Sequence, residues 1–184
     1  MINVMMILFA AGSTLAAPAE VNLLTNADFE AGEGKAPVGW TKPATGEWAK
    51  GAGVDDSSAI GITGTGSNSE FWASAPVEFQ PGHCYRFSFL VRGVDTASGT
   101  VISGPQFANV DVGTPSKSWQ RESNVFVTPI RKEECQGVVR LGQWQMGGTA
   151  FFDNARLVPV LPVHAHFGEL ALGEGETLNG NVYT

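Results

Sequence analysis

"HCYRFSFLVRG" (His83–Gly93) is the stretch on which the fold turns. Tyr85, Phe87, Phe89 and Val91 alternate with Arg86, Ser88, Leu90 and Arg92. Successive side chains of a strand point to opposite faces, so one face of this segment is aromatic and apolar and the other is mixed. That pattern predicts a strand half-buried on a core.

The alternation recurs on both sides. In "EFWASAPVEF" (Glu70–Phe79), Phe71, Ala73, Ala75, Val77 and Phe79 share a face, which sets Trp72 and Ser74 opposite. In "VVRLGQW" (Val138–Trp144), Val139 and Leu141 share one face, and Val138, Arg140 and Trp144 the other. In "AFFDNARLV" (Ala150–Val158), Phe151, Ala155 and Leu157 share a face with Asp153. "AIGIT" near Ile60 and "SWQRESNVFVT" near Val125 predict two more strands. "GTVISGPQFANVDV" predicts another, broken at Gly104-Pro105, where proline interrupts a ladder. Turns separate these runs at Pro81-Gly82, at Gly147-Gly148 and at Gly64–Asn68. Eight or nine short strands with regular turns, beginning with Asn22–Phe29, predict an antiparallel β-sandwich over 20–160.

Composition agrees. The 184 residues hold 23 glycines and 10 prolines, with 11 phenylalanines and 5 tryptophans to fill one core. A net charge of −7 argues against a nucleic-acid binder, which needs a basic stripe. After residue 20 no apolar run is long enough for a membrane-spanning helix. Residues 1–19 read as a secretory signal peptide, an apolar run ending at Ala17-Pro18-Ala19, although no Lys or Arg precedes it. Export makes Cys84 and Cys135 a candidate disulfide, the alternative being two buried thiols. Residues 161–184 read as a proline-flanked linker and the truncated start of a further domain.

Four stretches, in order, carry a family likeness: "NLLTNADFEAG…PVGW" from Asn22, "VEFQPGHCYRFSFLVRG", "SWQRESNVFVTP" and "GTAFFDNARLVP". Together they resemble carbohydrate-binding modules of the family 4/9/22 type and cover about residues 21–159. The resemblance implies a galactose-binding-like jelly roll without catalysis of its own. It also implies a structural calcium ion where the opening and closing strands meet, and a polysaccharide-binding surface on one sheet. Such modules belong to secreted proteins and are attached to glycoside hydrolases or other domains acting on polysaccharides.

For calcium, which takes six to eight oxygens, Glu30 and Asp153 are the matching carboxylates. A carboxylate on an apolar face, as alternation places Asp153, is costly unless paired or metal-bound. Asp28, Asp56 and Ser57 are further candidates, Asp28 through its side chain or only its carbonyl. The alternative is that these groups cap turns and accept backbone N–H bonds. For the sugar, stacking needs exposed aromatic rings with polar neighbours. Trp72 and Trp144 lie opposite the core faces of their strands and are the expected platform, with Arg140 beside Trp144. Gln106 and Gln143 are candidate hydroxyl partners, and Trp48 a candidate for the edge of the cleft. Gln143 has inward parity, and Trp40 and Trp119 read as structural. The rival reading of the whole chain is a spacer or adhesion sandwich without a sugar site. No catalytic motif of the nucleophile-elbow or phosphate-loop kind occurs.

Overall fold

The aromatic alternation at Tyr85–Val91 becomes an inner strand of a sheet, with Tyr85, Phe87, Phe89 and Val91 all buried. It belongs to a computed structural model that describes residues 21–160. The strands are β1 (Trp40–Thr41), β2 (Gly46–Ala49), β3 (Ala59–Thr65), β4 (Ser69–Ser74), β5 (Val77–Glu78) and β6 (Cys84–Ala97). They continue with β7 (Thr100–Pro105), β8 (Val110–Gly113), β9 (Gln120–Val127), β10 (Gln136–Gly137), β11 (Val139–Trp144) and β12 (Gly147–Val160). A front sheet has the order β1-β4-β11-β7-β8, and a back sheet has the order β2-β3-β12-β6-β9. Strands β5 and β10 form a separate short ribbon. All pairings are antiparallel.

The chain passes between sheets at β1 to β2, β3 to β4, β6 to β7, β8 to β9 and β11 to β12. That crossing pattern makes the sandwich a jelly roll. The inward faces meet in one core, in which Ile60, Ile62, Phe87, Phe89 and Phe152 of the back sheet lie with Trp72, Val101, Val139 and Leu141 of the front sheet. Phe29 and Trp40 pack edge to face at 5.0 Å and close one end.

The break expected at Gly104-Pro105 is present: β7 ends there, a 3-10 turn (Gln106–Ala108) follows, and β8 begins at Val110. Four expectations are corrected. The opening stretch Asn22–Phe29 is a series of turns rather than a strand. It nevertheless lines β12: Leu23 N–H donates to the Leu157 carbonyl at 2.8 Å, and the Asn22 side chain bonds the Ala155 carbonyl and the Leu157 N–H. One asparagine amide thus stands in for ladder hydrogen bonds. The turn between β11 and β12 is at Gln145-Met146, not Gly147-Gly148, which begin β12. Cys84 and Cys135 are free thiols. Tyr85 points into the core, so Cys84 beside it points out, whereas Cys135 is fully buried with its thiol on the Pro129 and Arg131 carbonyls.

The fourth correction concerns Trp72, which has 0% exposure and lies in the core. Its expected outward position came from counting alternation back from Val77 and Phe79 through Pro76. Strand β4 ends at Ser74, Ala75 N–H bonds the Gly39 carbonyl, and β5 starts afresh in another ribbon. Alternation is not carried through that break, so β4 has its own phase: Trp72 and Ser74 face in, and Phe71 faces out. The expected signal peptide (1–19) and the linker with the start of a further domain (161–184) lie outside the described residues.

Trp72 fills the sandwich interior and donates its indole N–H to the Gly61 carbonyl at 2.8 Å. Replacing it with alanine removes both. Trp72→Ala is expected to destabilise the fold by about 3–5 kcal/mol, read as a lowered urea midpoint at unchanged slope.

Candidate functional site

Strand β11 is central in the front sheet, and its alternation sends Val139, Leu141 and Gln143 inward and Arg140, Gly142 and Trp144 outward. Register places Phe71 of β4 beside Gly142 on one side and Ile102 of β7 on the other. Asp111 of β8 lies across from Ile102. Trp144 is 49% exposed and Phe71 39%, large values for rings on a sheet face. Gly142 lies between them because nothing larger fits: a methyl group there would stand 2.5 Å from the Phe71 Cβ.

A cavity of about 350 Å³ opens on this face, lined by Ile102, Asn109, Asp111, Arg140 and Trp144. Arg140 is held from two sides. Its Nη2 donates to Asn109 Oδ1 at 3.0 Å, its Nε approaches the Gly104 carbonyl at 3.5 Å, and its guanidinium carbon lies 5.2 Å from the Phe71 ring centre. Burial pulls its pKa below the usual arginine value. The face therefore offers an indole, a fixed cation, an amide and one carboxylate around one depression, with the Phe71 ring beside the cation. Stacking on ring faces and hydrogen bonding around the ring plane are what such a set can do.

Of the expected sugar-binding residues, Trp144 and Arg140 are brought together here. Trp72 is not, being in the core. Trp48 sits on β2 in the back sheet. Its indole N–H donates to the Phe29 carbonyl at 2.8 Å, and its ring tip occupies the place a Cβ on Gly32 would take, 2.7 Å away. Lys50 covers that ring at 3.3 Å, so Trp48 packs the opening loop rather than edging the cavity. Gln106 is exposed on the 3-10 turn after β7 and is not among the lining residues. Phe71, Asn109, Asp111 and Ile102 escaped the sequence reading. For Asn109 and Asp111 the signal was there: "NVDV" restarts an alternation after Gly104-Pro105, with Asp111 on its outward phase.

The second constellation lies at the back sheet. Asp153 is 1% exposed, but it is not on the apolar face of β12. Phe152 points into the core, and a register shift between Asp153 and Arg156, with Asn154 at φ 49°, resets the phase before Ala155 and Leu157. Asp153 therefore belongs to the outer face, buried there by the loop 53–57. Its Oδ2 accepts the Val54 N–H at 2.8 Å and the Ser57 hydroxyl at 2.9 Å, and its Oδ1 accepts the Asn154 N–H at 2.6 Å. Glu30 receives the Ser58 N–H at 2.5 Å on Oε1 and the Ser58 hydroxyl at 3.0 Å on Oε2. Burial raises the pKa of Asp153, the N–H and hydroxyl donors oppose it, and the nearby Glu30 charge raises it further.

Glu30 and Asp153 are thus neighbours, as the resemblance implies. Asp28 caps the Glu30 N–H at 3.3 Å, and Asp56 is exposed in the loop. Among the described residues no three carboxylate, histidine or cysteine side chains gather as a metal-binding group. A carboxylate oxygen has two lone pairs, so Glu30 keeps one acceptor site on each oxygen and Asp153 one on Oδ1 beyond the bonds above. Two adjacent carboxylates with spare lone pairs fit a hard cation that finds its remaining oxygens in backbone carbonyls or water.

No family model matches the chain, and no curated protein matches it. Solved structures with the same fold do. TmCBM61 in complex with β-1,4-galactotriose superposes with a TM-score of 0.54 at 19% identity, over 76% of this chain and 99% of that one. The CBM22-1 xylan-binding domain of Xyn10C from Paenibacillus barcinonensis gives 0.55 at 13% identity, over 79% and 98%. A cyclase from Fischerella sp. TAU gives 0.58 at 14% identity, over 76% and 98%. The chain therefore has the jelly-roll fold of these proteins. Because that fold carries both binding modules and a cyclase, function must be argued from the site.

Asp153→Ala would strand the Val54 N–H and the Ser57 hydroxyl under the loop. A buried donor left unpaired costs about 1–3 kcal/mol, so the variant is expected to unfold at lower denaturant than the parent. Asp153→Asn, which keeps one carbonyl acceptor, should lose less in the same titration.

Proposed function

We propose that residues 20–160 form a non-catalytic carbohydrate-binding module of a secreted protein, which holds an attached domain against a polysaccharide. The observation that carries this reading is the outward face of the front sheet, where Trp144 lines a cavity with Arg140, Asn109 and Asp111, and the exposed Phe71 ring packs on Arg140. An exposed tryptophan beside fixed polar groups has no role in the core, and a pyranose ring, apolar on its faces and polar at its rim, matches both features. The cavity holds one carboxylate, Asp111, whereas glycoside cleavage uses a pair flanking the bond. The neighbouring structures of the family 61 and family 22 modules, solved with or named for galactotriose and xylan, support the ligand class. Affinity should be modest, because ordering sugar and side chains offsets much of the stacking gain.

Calcium at Glu30 and Asp153 is the accompanying proposal. The ion would tie the opening segment to β12 and to the loop 53–57, and would favour the ionised form of Asp153 that burial disfavours. Export, and fusion to a catalytic or surface domain beyond residue 160, complete the reading.

Affinity electrophoresis in neutral β-glucan, xylan and β-1,4-galactan tests the sugar site. At least one polymer should retard the protein, and Trp144→Ala should weaken that binding about tenfold or more, equivalent to 1.4 kcal/mol. Absence of retardation in every polymer, or indifference to Trp144→Ala, would favour the spacer reading. For calcium, the melting temperature at pH 7 should fall on adding EDTA and recover with excess calcium. The difference should shrink as pH falls, because protons compete for the carboxylates. An EDTA-insensitive melt, with no metal by elemental analysis, would remove calcium from the account.

A further inference from the structure

The guanidinium of Arg140 is better furnished than a neutral sugar requires. A guanidinium carries five N–H donors. Arg140 uses one on the Asn109 amide oxygen and one on the Gly104 carbonyl, both neutral acceptors. No carboxylate among the described residues lies within ion-pair distance of it. The remaining donors have no acceptor among the described residues and border the 350 Å³ cavity. The Phe71 ring and the Asn109 side chain hold the group in place, so its fork is oriented before any ligand arrives. A half-buried cation with no carboxylate in contact is costly, and an anionic ligand would relieve that cost.

We infer that the front-sheet site takes a carboxylated glycan, with Arg140 gripping the carboxylate of a uronic acid residue while Trp144 stacks on the same or the adjoining sugar ring. This rests on the sugar-binding reading of the same face and names its substrate class. The planar fork of arginine matches a carboxylate through two parallel N–H···O bonds, which a lysine cannot reproduce. Asp111 in the same cavity limits the density of charge the site accepts. With the chain's net charge of −7, it disfavours a polymer acidic at every residue. The fitting ligand carries isolated uronates among neutral sugars. Asn109 and Asp111 then receive or orient hydroxyls beside the carboxylate.

The experiment compares each of two polymers with its own carboxyl-reduced form: glucuronoxylan, and sparsely charged, highly methyl-esterified pectin. Binding of the full chain is measured by isothermal titration and affinity electrophoresis. The wild type should bind at least one acidic polymer about tenfold tighter than its reduced form, the size expected of a charge-assisted bidentate pair. Salt at 0.5 M should narrow the difference, by screening. Arg140→Gln and Arg140→Lys should each bring the acid-to-reduced ratio close to one, with melting temperatures checked against wild type. Equal wild-type binding of acidic and reduced forms, with Trp144→Ala still abolishing it, overturns this inference and leaves the sugar site standing. A preference that survives Arg140→Gln also overturns it, as does equally tight binding to dextran sulfate, which would make the site a general anion site. Failure to bind any polymer, acidic or neutral, overturns both readings. Should Arg140→Gln fail to fold, the wild-type ratio and Arg140→Lys decide the matter.

Discussion

A tryptophan buried between two sheets must find an acceptor for its indole N–H, and for Trp72 that acceptor is the Gly61 carbonyl of the opposite sheet. This bond couples β4 to β3 across the core, just beyond the turn at which the chain changes sheets. Once Trp72 is fixed inward, strand geometry leaves its neighbour no choice. Phe71 must point out, and Ser74 must point in, where its hydroxyl accepts the Val139 N–H at 2.9 Å. The second bond sets the start of β11, and β11 carries Arg140 and Trp144. The candidate site is therefore placed by a buried bond that no ligand touches.

Much of the architecture was legible because it rests on short-range alternation. Strands β3, β6, β7, β9, β11 and β12 stand where the sequence puts them, since each carries enough aromatic or β-branched residues to mark its inward face. The errors have one physical source. Alternation specifies side-chain direction only while the chain stays extended, and it loses count at each break. Pro76 ended one strand and the left-handed Asn154 shifted another, which inverted Trp72 and misplaced Asp153. Val139–Trp144 contains no such interruption, so Trp144, Arg140 and the inward Gln143 were read correctly. The paired thiols failed for a related reason: spacing between cysteines says nothing of which face each occupies.

The two constellations divide the work of the fold. Glu30 and Asp153 are distant in sequence and meet because Asn22 and Leu23 bind the opening segment along β12. Their partners are mostly backbone N–H groups and serine hydroxyls from the loop that covers them. Such an arrangement fastens termini and loop together, and a cation would strengthen a join that already exists. The front face has the opposite character. Its rings are half exposed, its cation has no carboxylate within ion-pair distance among the described residues, and Arg140, Asn109 and Asp111 border an open cavity.

That difference indicates where the chain's stability is spent. A sheet face selected only for stability would place small polar or β-branched residues opposite one another, where cross-strand pairs contribute a few tenths of a kcal/mol to about 1 kcal/mol each. The front face instead puts glycine at position 142 between two exposed rings, although glycine weakens a strand interior. It also leaves Arg140 partly desolvated beside neutral acceptors. On the proposed reading, a flat ring across Trp144 and an anionic group at Arg140 would offset these costs. Local rules are also broken at the left-handed Phe29 and Asn154 and at the buried Asp153; on the front face the departures border an open cavity, as the proposed binding role would require.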